Sequence, residues 1–281
     1  MKREDVLART ERALDELATQ LEQGKSDCLL QYLDMLSRFH RYSMGNCMLI
    51  AMQRPTATHV AGYQRWKRLK RQVKKGETGI AILAPLVKRR KVDKERDDDT
   101  TETAQSRTLY GFRVVYVFDI EQTEGEPLAE FAKITGDPGE NLHRLEVVIR
   151  DRGIELEYVD GLGGALGVSS GHKIAVLQDL EDAEKFSVLA HELGHELLHQ
   201  GARRKDTTKT IRETEAEAVA FVVCRASGIE CNTRSSDYIQ LYNGDTDVLM
   251  ESLEHIQRAA SNILCDLEGI SAKSSKGVLC A

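Results

Sequence analysis

The sequence predicts an α+β protein of two domains, the first built of helices and a small antiparallel sheet, the second mixed and mostly helical. Three observations predict it. At 281 residues the chain exceeds the usual size of one domain. Two segments rich in β-branched and aromatic residues, "IAILAPLV" and "FRVVYVFDI", lie in the first half, whereas helix-period segments dominate the second. Charge is also divided. Residues 38–90 hold thirteen Lys and Arg against Glu77 alone, so this stretch carries +12 and the remainder of a chain of net charge −6 carries −18. The stretch 126–138, with its Gly, Pro and acids, reads as a linker, giving expected domains at 1–125 and 139–281.

The elements follow in order. Residues 3–23 form an amphipathic helix, with Leu14, Leu17 and Leu21 at helical spacing. Further helices run over about 28–39 and 45–52, the latter ended by Pro55. "HVAGYQRWKRLKR" gives a strand entry and a short helix, and "KKGETG" a turn. Between the two clear strands, residues 88–108 are charged and lack core residues, and read as a mobile hairpin loop. The second domain opens with a helix over 139–152. A strand pair is expected across "LEYVDGLGGALGVSSGHKIAVLQ", its glycines suiting a tight or bulged hairpin. A histidine-bearing helix over 181–199, a polar loop "GARRKDTTKT", and helices over 211–226 and 246–267 complete it.

Two classes are excluded by composition. No apolar run approaches the roughly 20 residues of a membrane helix. The charged first 23 residues lack the apolar centre of a signal peptide, which points to the cytoplasm. The six cysteines form no C-x-x-C pair and are expected as free thiols.

Chemistry concentrates in "AHELGHELLH". His191 and His195 are four apart and share a helix face, where two imidazoles can grip one zinc ion. Glu192 lies beside them, placed to take a proton from an activated water. A third ligand is needed. His199 stands two turns from His191, roughly 12 Å along the helix, too far to share bonds of about 2 Å; it is expected to pack or hydrogen-bond instead. "RETEAEAVAF" supplies three acids on a helix that otherwise looks buried, and buried acids need partners. Glu213 and Glu217 share a face, Glu215 does not. Glu213 is the expected ligand and Glu217 the group that orients a histidine, with Glu215 as the alternative ligand.

The basic half interleaves Tyr42, Tyr63 and Trp66 with Arg38, Arg41, Arg65, Lys67, Lys70, Arg71, Lys74 and Lys75. Rings that stack on bases and cations that meet phosphates are the pairing that binds single strands. The other reading is a basic surface over core aromatics, and Trp66 fits either.

Two resemblances sharpen these readings. "LAHELGHELLH" followed by "RETEAEAVAF" resembles the zinc metallopeptidases of the ImmA/IrrE type, and the pair Glu213-x-x-x-Glu217 resembles the wider gluzincin arrangement. This implies a zincin-like fold over about 150–230, a Zn2+ cofactor, and peptide-bond hydrolysis with Glu192 as base. By analogy the Gly-rich strand before the helix is the edge along which a substrate peptide lies. Residues 5–125 resemble the N-terminal single-stranded-DNA-binding domain of ArdC-type antirestriction proteins. The match rests on Ser43 and Asn46, the Leu-Ile before Gln53, Pro55 to Thr58, Ala61 to Trp66 and Val73 to Pro85. It adds Asn46 and Gln53 to the candidate DNA contacts. Lys70 departs from it, standing where that family commonly has glycine. The expectation is a single-stranded-DNA-binding zinc metallopeptidase that acts on an unidentified protein, in antirestriction or DNA-linked processing on a mobile element. The alternative is a DNA-binding shield with a structural or inactive zinc site.

Overall fold

The computed structural model describes residues 3–23, 27–94, 102–126, 137–230 and 246–277. The chain divides into two compact units: Met1–Arg12 with Met48–Pro127, and Ala13–Cys47 with Leu128–Ala281. Packing thus groups residues 13–47 with the C-terminal part, whereas the sequence division assigns them to the N-terminal one. The expected linker falls largely on 127–136, outside the described residues.

Three helices come first, α1 (Arg3–Glu22), α2 (Asp27–Phe39) and α3 (Met44–Gln53). The N-terminal unit then holds β1 (Val60–Gly62), α4 (Tyr63–Arg68), β2 (Arg71–Val73), β3 (Ile80–Lys94), β4 (Glu102–Asp119) and β5 (Thr123–Gly125). β4 is the middle strand of an antiparallel sheet β1-β4-β3, with Ala61 opposite Phe118 and Ile82 opposite Val115. A bulge between Leu86 and Val87 offsets the register. β2 and β5 form a separate ribbon. The expected loop over 88–108 is corrected: β3 continues to Lys94 and β4 starts at Glu102, so polar sequence here forms a two-stranded ribbon. Such a ribbon needs only its backbone ladder, which apolar periodicity does not report. Residues 95–101 lie outside the described residues. Asp119 is fully buried and accepts from the backbone N–H groups of Thr58 and His59, at 3.0 and 3.1 Å, fixing the entry to β1. Lys70 sits at φ 56°, the left-handed region that glycine adopts more easily.

The C-terminal unit holds α5 (Glu140–Asp151), β6 (Glu155–Val159), β7 (Gly167–Ser169), β8 (Lys173–Leu177), α6 (Asp182–Leu198), α7 (Gly201–Asp206), α8 (Lys209–Ala226) and α9 (Thr246–Gly277). Two expectations are corrected here. The strand pair is a three-stranded sheet of order β6-β8-β7, β6 parallel and β7 antiparallel to β8, which leaves β7 at an edge. The polar loop after the histidine helix contains α7. α6 and α8 pack closely because residue 194 is glycine: a Cβ there would stand 3.3 Å from Ala216 Cα. α2 lays Leu29, Leu33 and Leu36, all buried, into this unit, each contributing roughly 1.5–3 kcal/mol. Its Asp34 pairs with Arg225 of α8 at 2.9 Å. No described helix is long and apolar enough to cross a membrane.

Candidate functional site

The close approach of α8 to α6 at Gly194 brings Glu213 over the two histidines. His191 Nε2 and His195 Nε2 are 3.1 Å apart, and Glu213 Oε2 lies 3.6 and 3.5 Å from them. Nitrogen and oxygen ligands bonded at 2.0–2.1 Å to a tetrahedral zinc stand about 3.3 Å from one another. The three edges therefore fit one small divalent ion with a fourth position open, and two imidazoles with one carboxylate are a usual catalytic set. Without a metal the trio holds a proton. Burial alone would lower the His191 pKa, but hydrogen bonds to Glu213 and Glu217 outweigh it and carry it to about 9. Burial and the neighbouring His191 push His195 down to about 4. The hydrogen bond to His191 takes Glu213 down to about 2.

Glu192, one residue along α6, is 7% exposed. Burial is the main cause that raises its carboxyl pKa. It faces β7: a Cβ at Gly167 would stand 3.0 Å from Glu192 Oε1 and 2.5 Å from Val188 Cγ1, so only glycine lets the strand come this near. β7 is held there by Glu196, whose carboxylate accepts from Ser169 Oγ at 2.6 Å and from the N–H groups of Gly171 and His172 at 2.9 and 2.8 Å. A cleft of about 710 Å³ lies along this strand, lined by Leu166 and Gly167, by the trio's His191 and Glu213, and by Glu181, Glu184 and Glu230 among others.

The candidate DNA contacts divide between the two units. In the N-terminal one, Trp66 is corrected from a stacking candidate to a core residue: it is 2% exposed and its indole N–H donates to Phe118 O at 2.8 Å. Gln53 uses its amide on both Ala81 N and Ala81 O, at 3.0 and 2.9 Å. Arg71 ties β2 to Thr123 and Glu126, Lys74 donates to Glu121 O, and Lys70 pairs with Glu126. Tyr63, Lys67 and Lys75 are exposed. In the other unit Arg38 pairs with Asp34, Tyr42 meets Phe39 edge-on, and Asn46 is 9% exposed.

Comparisons with known proteins follow the same division. Residues 4–118 match the family model described as the N-terminal domain of anti-restriction factor ArdC. Residues 143–227 match a peptidase model, M78, described as an IrrE N-terminal-like domain. The chain is ArdC-like, an ArdC N-terminal domain followed by an IrrE-like domain. The metal-free crystal structure of the antirestriction protein ArdC from plasmid R388 superposes on this ArdC-like chain with a TM-score of 0.52 and 16% identity, covering 92% of this chain and 98% of that one. Its Mn(II)-bound structure gives 0.52 and 17%, covering 92% and 97%. At that identity the likeness is one of fold. An uncharacterized Bacillus anthracis protein is 23% identical over 306 residues, 93% of this chain and 52% of that protein, so the ArdC-like chain spans about half the length of the curated relative it matches.

The imidazoles of the ArdC-like chain are held from behind. Glu217 Oε2 lies 3.3 Å from His191 Nδ1. His195 Nδ1 lies 2.9 Å from His199 Nδ1, and His199 Nε2 2.9 Å from Glu215 Oε2. Glu215 and His199 are fully buried, and Arg203 closes the chain on Glu215 at 2.6 Å. One tautomer set satisfies it: with Nε2 facing the metal position, His195 donates from Nδ1 to His199, which donates from Nε2 to Glu215. Glu215, the alternative ligand, is therefore turned away from the trio. Sequence reasoning missed His199, Glu215 and Arg203 as a unit. The available signal was a carboxylate amid Ala216, Ala218 and Val219, which calls for a nearby cation.

Proposed function

We propose that this ArdC-like chain binds single-stranded DNA through its N-terminal unit and hydrolyses a protein at a zinc ion held by His191, His195 and Glu213, in antirestriction or DNA-linked processing. The observation that carries the reading is the trio's near-tetrahedral spacing with Glu192 beside it. A zinc ion there would supply Lewis-acid polarisation of the scissile carbonyl and acidify a water. Glu192 takes the proton of the attacking water and returns it to the departing amide nitrogen; a carboxyl pKa raised by burial suits both steps. The free edge of β7 offers backbone groups to an extended peptide, with the exposed Leu166 and Val168 as apolar contacts. Glu217 and His199 keep the imidazoles in place.

The test uses the full chain loaded with zinc, an unfolded protein such as casein, and single-stranded oligonucleotide present or absent. Cleavage is expected, and Glu192→Gln should keep the metal while losing about 10²–10⁴-fold in rate. Equal rates for both forms under every condition would reject hydrolysis and favour the shield.

A further inference from the structure

One face of the N-terminal unit's sheet is only partly covered: Ala81 and Ala61, the partners of Tyr116 and Phe118, are buried, while Tyr116 itself is exposed. Along β4, Val115 and Val117 pair with Ile82 and Ile80, and Val117, Ile80 and Ile82 are buried. The alternate residues, Phe112, Val114, Tyr116 and Phe118, point the other way. Phe112 is 40% and Tyr116 48% exposed. Tyr63, 47% exposed, directly follows Gly62, the last residue of β1, whose partner Val117 adjoins Tyr116 in β4. Leu109 and the unpaired bulge residue Tyr110 are also exposed, at 54% and 66%, next to this face. So many exposed large apolar groups on one small sheet mark a binding surface rather than scattered surface residues.

The charges beside it identify the occupant. α4 starts at Tyr63 and carries Arg65 and Lys67, both exposed and without an ion-pair partner among the described residues. A purely apolar protein partner would have to bury those cations, whereas a polyanion with flat rings uses cations and aromatics together. Exposed aromatics on a middle sheet strand are a known way to hold unpaired bases.

We propose that the open face of β4, through Tyr63, Tyr116 and Phe112, is the platform on which bases of single-stranded DNA stack, with the cations of α4 meeting the phosphates. The platform rests on the DNA-binding reading above and adds its location. Phe112 and Tyr116 are four residues apart, about 13 Å along the strand, so they serve separate bases, while Tyr63 flanks Tyr116. Ring stacking reads no base edge, so binding is tolerant of sequence.

The experiment measures binding of a fluorescent oligo(dT) to the full chain by anisotropy over a salt series. Phe112→Ala, Tyr116→Ala and Tyr63→Ala should each weaken binding roughly 5- to 150-fold without changing the salt slope, as expected for loss of one stacked base. Tyr116→Phe should bind as the parent does. Arg65→Ala with Lys67→Ala should instead flatten the slope, by about 0.7 per lost phosphate contact. Emission from Trp66, the single tryptophan and a core residue, reports that each variant's N-terminal unit is folded. Photocrosslinking with bromodeoxyuridine-containing oligonucleotide should place adducts on these three rings. Parent-like binding by folded ring variants, with adducts elsewhere, would overturn the platform and leave DNA binding standing. A parent chain that binds no single strand would overturn both.

Discussion

Glu213 and Glu215 differ by two positions, and replacing each with alanine should produce opposite phenotypes. Glu215 is fully buried, bound to Arg203 at 2.6 Å and His199 at 2.9 Å. Breaking a buried ion pair by removing one partner costs about 3–5 kcal/mol. Arg203 keeps Glu251 at 3.1 Å and some solvent, which favours the lower end. At roughly 2–4 °C per kcal/mol for a unit of this size, Glu215→Ala should melt about 6–12 °C lower without metal. Its metal affinity should fall about 10–100-fold, because His195 loses its support through His199. The Glu213 side chain is half exposed and its ion pair with His191 is screened by solvent, so Glu213→Ala should lower metal-free stability by about 1 kcal/mol, well short of the loss in Glu215→Ala. That variant should bind no metal tightly. The assay is a thermal melt by circular dichroism, with chelator and then with one equivalent of zinc or Mn(II), beside a direct metal count. A Glu213→Ala protein that keeps a full, tightly held metal would refute the assignment, as would a Glu215→Ala protein that loses metal with an unchanged chelator melt.

Four other outcomes are expected. His191 carries a proton at neutral pH when no metal is bound, so metal uptake should release about one proton at pH 7, and affinity should rise about tenfold per pH unit up to about pH 9; calorimetry in two buffers of different ionisation enthalpy measures both. In the metal-free protein that raised pKa stabilises the fold fully below the ordinary histidine value and is lost as pH rises through about 9, so chelated samples should melt lower at pH 9.5 than at pH 6. Trp66→Ala should cost about 3–5 kcal/mol and lose DNA binding through unfolding of the N-terminal unit, seen as a lost melting step. Peptides bearing Lys or Arg should have lower KM than matched acidic ones because Glu181, Glu184 and Glu230 line the cleft; the difference should shrink in high salt and in Glu184→Lys.

The metal helix was legible because its signal is local. A four-residue spacing places His191 and His195 on one face whatever the surroundings. The choice between Glu213 and Glu215 was not local. It depends on how α8 meets α6 at Gly194 and on an arginine in a segment with no apolar period to mark it as helix. The sheet order in the C-terminal unit was hidden for a similar reason. β6, β7 and β8 are short, and nothing in their composition says that β8 lies between the other two. In the basic half, composition showed rings among cations but not which rings face outward. Trp66, the most conspicuous, turned inward, while Phe112 and Tyr116 were legible only as strand residues.

The packing of α2 with the C-terminal unit bears on how such a chain can be inherited. A recombination event at the stretch between the two family-model matches would bring a foreign partner for α8 or none. The IrrE-like part would keep Arg225 without Asp34, and the groove that receives Leu29, Leu33 and Leu36 would stand open. Exchange of residues 4–118 as a block would therefore part α2 from the α8 it packs against. A junction that keeps residues 13–47 with their own α8 keeps both the Asp34–Arg225 pair and the burial of Leu29, Leu33 and Leu36, so this helix makes one module's stability depend on the other's inheritance.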